Sequence, residues 1–299
     1  MPLRGVDVAA TLRPVALLPG DPTVRLTPGR FERATCTPEG PGTIVITWDA
    51  GGPRSDGAAQ VEAHGDGAAW LLRHAPDLLG VRDEGAVGFE PTVEPVRSLW
   101  RQRRGMRLTR TGTVWHDLAW MIVQQRVTHT DAAAQWRRLV VGLGLPAPGA
   151  PSLLLPPAPE SLAGLTYPDL HPFGIERQRA THLLAAAREA PRLHGLVALP
   201  APAAAPRLRA LHGVGPWTSS FLAAHTWGEA DTVIVGDAGI PSAVAWLLAG
   251  ERRADDARLV DLLEPFRPHR YRVIRLVLAE RPRAPRRRPL APPTDIRRL

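Results

Sequence analysis

One carboxylate and one glycine-punctuated turn carry most of the chemistry legible in this chain. The turn is Leu211-His212-Gly213-Val214-Gly215-Pro216-Trp217-Thr218, and Asp237 follows Gly213 by 24 positions. Two glycines around a small apolar residue let backbone N–H groups approach a phosphate closely, and Pro216 is pre-set for the first turn of a helix, whose N-terminus favours anions. Phe221, Leu222 and Ala224 suit the buried face of that helix, and Trp227-Gly228 suits its end. Asp237 therefore stands one helix and one loop beyond a phosphate grip. Standing just before Gly239-Ile240-Pro241-Ser242, it could equally serve only to cap the next helix.

Composition removes several other chemistries. Cys36 is the only cysteine, so there is no intramolecular disulfide and no four-cysteine iron–sulfur cluster. The chain contains no lysine: all 37 basic residues are arginine, whose guanidinium stays protonated and cannot form a Schiff base. His and carboxylate spacings give no metal-ligand set, and no cofactor is expected. There is no apolar run of about 18 residues and no signal-peptide pattern, so the expectation is a cytoplasmic protein with no membrane partner. The formal net charge is +8. Arginines 281, 283, 286, 287, 288, 297 and 298 against Asp295 place most of that excess in a Pro/Arg-rich tail over 281–299, expected to be a solvated, disordered arm. A second cluster, Arg97, Arg101, Arg103, Arg104, Arg107 and Arg110, would line a duplex or form a solvated helix face.

The elements that must position these residues fall into two kinds. Thr43 to Trp48 is β-branched and aromatic and ends at Asp49-Ala50-Gly51-Gly52-Pro53, a strand followed by a turn. Val61 to His64 suggests a second strand, and Gly67 to Arg73 the start of a helix. From about residue 112 the apolar spacing is helical, with segments at 115–123, 131–141, 177–190, 207–211, 218–226, 242–249, 257–263 and 271–278. Proline-rich stretches at 145–159 and 199–206 are expected to separate some of them.

The hairpin, with Asp237 at its distance, resembles the helix-hairpin-helix DNA glycosylases, specifically the AlkA-type 3-methyladenine DNA glycosylases. Gln124-Gln125-Arg126-Val127-Thr128, Gly174-Ile175-Glu176-Arg177-Gln178-Arg179-Ala180 and Pro265-Phe266-Arg267-Pro268-His269-Arg270-Tyr271 are similar to three further segments of that family, in order, over residues 105 to 280. The resemblance implies a mainly α fold: an all-helical, two-lobed helix-hairpin-helix body at 105–280, a small α+β N-terminal domain at 1–104, and the tail at 281–299. It implies an enzyme that binds double-stranded DNA, flips out a damaged base of the alkylated-purine type (3-methyladenine or 7-methylguanine) and hydrolyses its glycosidic bond. Asp237 would be the essential carboxylate, with Trp217, Phe221 and Phe266 as base-pocket aromatics. Gly213, Val214, Gly215 and Thr218 would form the phosphate-binding hairpin. The side chain filling the vacated stack would be Arg126 or Gln125. Trp217 occupies the position where strand-nicking relatives carry lysine, which implies a monofunctional enzyme. Phe221 and Phe266 stand where relatives often have Trp or Tyr. Alternatives are a non-catalytic lesion-binding protein and a glycosylase for deaminated or other damaged bases. One such body suffices for one base, so a monomer is expected.

The tail yields a separable expectation. Deleting 281–299 should weaken binding to any duplex and flatten the slope of log affinity against log salt by up to about five, with little change in single-turnover rate at saturating protein. A large fall in that saturated rate would show instead that the tail docks at the site.

Overall fold

The structure, a computed structural model, describes residues 1–49 and 57–280. The tail at 281–299 and the turn residues beyond Asp49 lie outside the described residues. The chain begins with a short helix α1 (Val8–Leu12), started by Asp7, whose carboxylate accepts the Ala10 N–H. Four antiparallel strands follow as a meander: β1 (Val24–Thr27), β2 (Arg30–Thr37), β3 (Gly40–Thr47) and β4 (Gln60–His64). The sequence pattern shows β3 and β4; β1 and β2 lack its clean alternation. β2 carries Arg33 and Thr35 amid buried neighbours because both of its faces are covered. On one face Phe31 pairs with Ile46 and packs on α2 (Ala68–Leu78) through Trp70 and Leu71. On the other, Ala34 meets Ala147, Ala150, Leu153 and Leu155, so much of the proline-rich 145–159 stretch, expected as a spacer, is the sheet's cover.

The helical body contains α3 (Val96–Gln102), α4 (Val114–Gln124), α5 (His129–Leu143), α6 (Pro159–Ala163), α7 (Tyr167–Leu170), α8 (Arg177–His194), α9 (Ala201–Arg209), α10 (Pro216–His225), α11 (Ile240–Ala249), α12 (Asp256–Leu263) and α13 (Arg270–Glu280). Side-chain caps at Thr128, Glu176 and Asp255 start α5, α8 and α12. Of the stretch 199–206, all from Ala201 on is helical where a break was expected. Pro202 occupies the first turn of α9, and the i−4 bond that Pro206 forgoes would have gone to the same short helix's first turn.

Two cores divide the body. One gathers α4, α5, α8, α9 and α10 around Trp115, Trp136 and Leu183; the other gathers α3, α11, α12 and α13 around Trp100, Val244, Leu259 and Ile274. Trp217 and Phe221 of α10 pack against both. Ala86, Phe89 and α3, assigned by sequence to the N-terminal unit, bury their apolar side chains in the second core.

Sheet and body are tied by a buried ion pair. Arg33 Nη2 lies 2.9 Å from Asp117 Oδ1 at the start of α4, with side chains only 5% and 2% exposed. Asp117 also accepts from Thr111, from Thr113 (3.3 Å) and from Thr226 (2.7 Å), which follows α10. His116 beside it accepts or donates to Thr35 at 2.9 Å, and burial lowers its pKa well below 6.5, so it is neutral. Removing one member of such a pair leaves the other charge buried and uncompensated. Asp117→Asn should therefore cost about 3–5 kcal/mol in chemical denaturation. A loss under about 1 kcal/mol would show that the pair is not what holds sheet to body.

Candidate active site

α9, residues 210–215 and α10 form a helix-hairpin-helix whose loop is held from beneath. Gly213 has φ +87, and a Cβ there would fall 2.1 Å from His182 Cγ on α8, so both conformation and space exclude any side chain. Val214 is buried and its N–H donates to Leu211 O at 3.1 Å. Gly215, by contrast, is exposed, and a Cβ there would meet nothing within 4 Å. The hairpin thus presents Gly215 and the start of α10 to solvent, a concentration of N–H groups and positive dipole suited to a phosphate.

Gln125, at the end of α4, pins the loop. Its Nε2 donates to Gly213 O (2.9 Å) and to Thr218 Oγ1 (3.0 Å). Its Oε1 must then accept from His182 Nδ1 at 3.2 Å. Burial, chiefly, lowers the His182 pKa, which fits this neutral donor. Two sequence expectations change here. Thr218 is 2% exposed and turned inward to Gln125, where a phosphate contact was expected; Gln125 is occupied by the loop, where a side chain free to fill a base stack was expected. Arg126 alone of the two is exposed, and it stands at φ +58, uncommon for a branched-chain-free but bulky residue. Arg179, 4% exposed, supports the turn by donating to Val123 O and Gln135 Oε1, both at 2.6 Å.

Asp237 lies 3.1 Å from Trp217: the indole Nε1 donates to Oδ2. Its Oδ1 accepts the N–H groups of Gly239 and Ile240, each at 2.8 Å, at the start of α11. The capping role and the fixed-carboxylate role are therefore filled by the same side chain. Gly236 before it has φ +77 and donates its N–H to Asp256 Oδ2 at 2.8 Å, fixing the loop from the other side. Three N–H donors leave Asp237 half-buried in one orientation, with the exposed Gly236 and Ala238 beside it.

Trp217 packs edge-on against Phe221, centroids 5.1 Å apart, and Phe221 lines a cavity of about 540 Å³. Trp120, His225, Ile234, Tyr271 and Arg275 line it too, with α1 forming the opposite wall. His225 stacks on Trp120 and is fully buried, which lowers its pKa to about 4 and keeps it neutral. Of the three expected pocket aromatics only Phe221 lines this cavity: Trp217 stands behind it, and Phe266 is 5% exposed in the second core and borders a different, 290 Å³ cavity beside Phe89 and His269. It stands on the turn before α13, whereas the cavity is faced by α13 itself. Tyr271 and Arg275 were missed by the sequence reading. Their i, i+4 spacing, like that of Phe221 and His225, places each pair on one helix face and was the available signal. Among the described residues no group of three or more His, Cys, Asp or Glu could hold a metal ion, and no helix is long and apolar enough to cross a membrane.

The fold has solved counterparts. A 3-methyladenine DNA-glycosylase from Archaeoglobus fulgidus superposes with TM-score 0.77 over 94% of this chain and 97% of that one, at 21% identity. An 8-oxoguanine glycosylase/lyase from Clostridium acetobutylicum matches in its apo form with TM-score 0.63, 14% identity, and coverage of 87% and 89%. The same enzyme in complex with double-stranded DNA containing cytosine opposite 8-oxoG gives TM-score 0.62, 12% identity, and coverage of 86% and 87%. No family model and no curated protein sequence matches. The chain has the helix-hairpin-helix DNA glycosylase fold, mainly helical with a small N-terminal sheet.

The two hairpin glycines should respond differently. Gly213→Ala forces a side chain into left-handed backbone and into His182, and should lower stability by about 1–3 kcal/mol in thermal denaturation. Gly215→Val should leave the melting temperature within about 2 °C yet weaken binding to damaged and undamaged duplex alike, since phosphate contacts position without reading sequence. Equal melting temperatures for both variants would contradict the close packing on His182.

Proposed function

We propose that this protein is a monofunctional DNA N-glycosylase, which rotates a damaged base out of double-stranded DNA and hydrolyses its bond to the sugar. The observation that carries this reading is the Trp217–Asp237 pair, a carboxylate held by three N–H donors, whose indole partner follows the hairpin on α10 and packs on Phe221, a residue of the aromatic-lined cavity. The hairpin would hold the backbone next to the target nucleotide. Arg126, exposed on the turn after α4, would occupy the vacated stack with its planar guanidinium. The base would enter the cavity between the faces of Phe221, Tyr271 and Trp120, whose aromatic surfaces stack on any purine, the alkylated purines implied by the resemblance included.

As the C1′–N bond lengthens, its electron pair leaves with the base and positive charge gathers on the sugar. Asp237 would stabilise that charge and take a proton from the water adding to C1′. The products are the free base and an abasic site. Strand cleavage through a Schiff base needs a primary amine, and the chain has no lysine. Trp217 has only an indole N–H at the corresponding position, already donated to Asp237. The Met1 amine donates to Ala59 O at 2.7 Å in the N-terminal unit. A monomer acting on one damaged base at a time completes the proposal.

Asp237→Asn removes charge with little change of volume. It should slow base release, followed by mass spectrometry of the freed base, by about 10²–10⁴-fold, with affinity for abasic-site DNA changed less than about threefold. Borohydride should trap no protein–DNA adduct with the parent protein. Undiminished release by Asp237→Asn would overturn the catalytic assignment; parallel loss of binding would make Asp237 a helix cap alone.

A further inference from the structure

We propose that the 540 Å³ cavity selects an uncharged purine carrying an exocyclic carbonyl, of which hypoxanthine is the simplest, over a cationic alkylpurine. The inference rests on the glycosylase reading and names the substrate class of the same site.

The cavity wall is rich in donors and poor in anions. Trp120 is 6% exposed, lines the cavity, and has an indole N–H without a hydrogen-bond partner. That group can only donate, and leaving it buried and unpaired is costly unless a ligand supplies an acceptor. Arg275 reaches the same space from α13. It donates through Nη2 to Ala10 O at 3.3 Å and lies beside Tyr271, which leaves part of a five-donor guanidinium for a ligand. At the rim, Arg103 holds Glu280 through Nη2 at 2.9 Å while its Nε, also buried, has no partner. Arg13 adds a third guanidinium to the lining. Asp7, the carboxylate of the lining, is engaged in capping α1. His225 is neutral.

A purine alkylated at N3 or N7 brings its own positive charge into a confined space already holding arginine, where like charges repel more strongly than in water. An oxopurine brings the opposite: its O6 and N7 are adjacent acceptors, the pair that an arginine fork bonds bidentately. The chemistry of departure points the same way. A cationic base leaves as a neutral molecule and needs no help from the pocket. A neutral base leaves with the bonding pair as an anion, which Arg275 would stabilise until water protonates it, while the added water gives its proton to Asp237. Hypoxanthine is also weakly paired in duplex DNA and costs less to extrude than a well-paired guanine.

Single-turnover release from duplexes containing one hypoxanthine or one N7-methylguanine tests the proposal, each rate being divided by that duplex's rate without protein. The parent protein should accelerate hypoxanthine release by at least tenfold more than N7-methylguanine release. Arg275→Met should reduce hypoxanthine release about 10²-fold and leave N7-methylguanine release unchanged or faster. Arg275→Lys should recover part of the loss by restoring charge. Trp120→Phe, which removes the N–H but keeps a ring, should slow hypoxanthine release about tenfold with an unchanged melting temperature. Preferential acceleration of N7-methylguanine, or equal losses on both bases in Arg275→Met, would overturn the inference while leaving the glycosylase reading intact. If neither base is released, the glycosylase reading fails, and calorimetry with free hypoxanthine then decides the pocket's chemistry. Binding that disappears in Arg275→Met supports it, and no binding to the parent protein overturns it.

Discussion

Asp117 is the interaction on which the rest of the arrangement hangs. A carboxylate 2% exposed is tolerable only with its acceptor sites filled, and they are filled by Arg33 from the sheet, Thr111 and Thr113 ahead of α4, and Thr226 after α10. The four donors come from three parts of the chain. This buried charge therefore fixes where the sheet sits on the body, where α4 begins and where α10 ends. α4 in turn delivers Gln125 to the hairpin, and α10 delivers Trp217 to Asp237. An apolar residue at 117 would pack as well but would not specify these three positions together.

From that frame the candidate site follows as a sequence of short-range constraints. Gln125 can satisfy Gly213 O, Thr218 Oγ1 and His182 at once only with the loop in its observed turn, and Gly213 is the residue that permits the turn. The loop then places Pro216 at the start of α10, which sets the indole of Trp217 against Asp237 and the ring of Phe221 into the cavity. Because α10 packs on both cores of the body, the end of the hairpin, the indole partner of the carboxylate and one wall of the cavity share one element. That geometry suits a reaction needing backbone, sugar and base held in fixed relation.

The charge distribution separates recognition from grip. Phosphate attraction needs exposed or solvated cations, while Arg275 at the cavity is partly buried among aromatic rings and bonded to α1 through Ala10 O. Its field acts on whatever enters the cavity. The same residue type thus serves two purposes according to burial, and only burial distinguishes them.

Much of the design is written locally in the sequence. The glycine pair, the proline that follows it and the spacing to Asp237 are properties of adjacent residues, so the hairpin, α10 and the loop before α11 could be read directly. The same holds for the long helices with strong apolar period, α4, α5 and α8, and for the β-branched run of β3. Missing lysine is likewise a matter of composition, and with it goes Schiff-base chemistry from a side chain. What the tertiary structure decided is every feature that joins distant segments. β1 and β2 show no clean alternation because β2 is covered on both faces, 201–206 became helix because its prolines fall where a short helix tolerates them, and much of 145–159 became the cover of the sheet. Thr218 and Gln125 turned toward each other and not toward DNA, since 93 positions of chain separate two groups that satisfy one another only in the fold. Phe266 went to the core and Tyr271, Trp120 and Arg275 to the cavity, because which face of a helix meets a void depends on what packs behind it. Sequence spacing could mark Asp237 as a carboxylate near an expected phosphate grip; only the folded chain brought it to Trp217 and left Trp120 Nε1 and Arg103 Nε unpartnered among the residues lining the cavity.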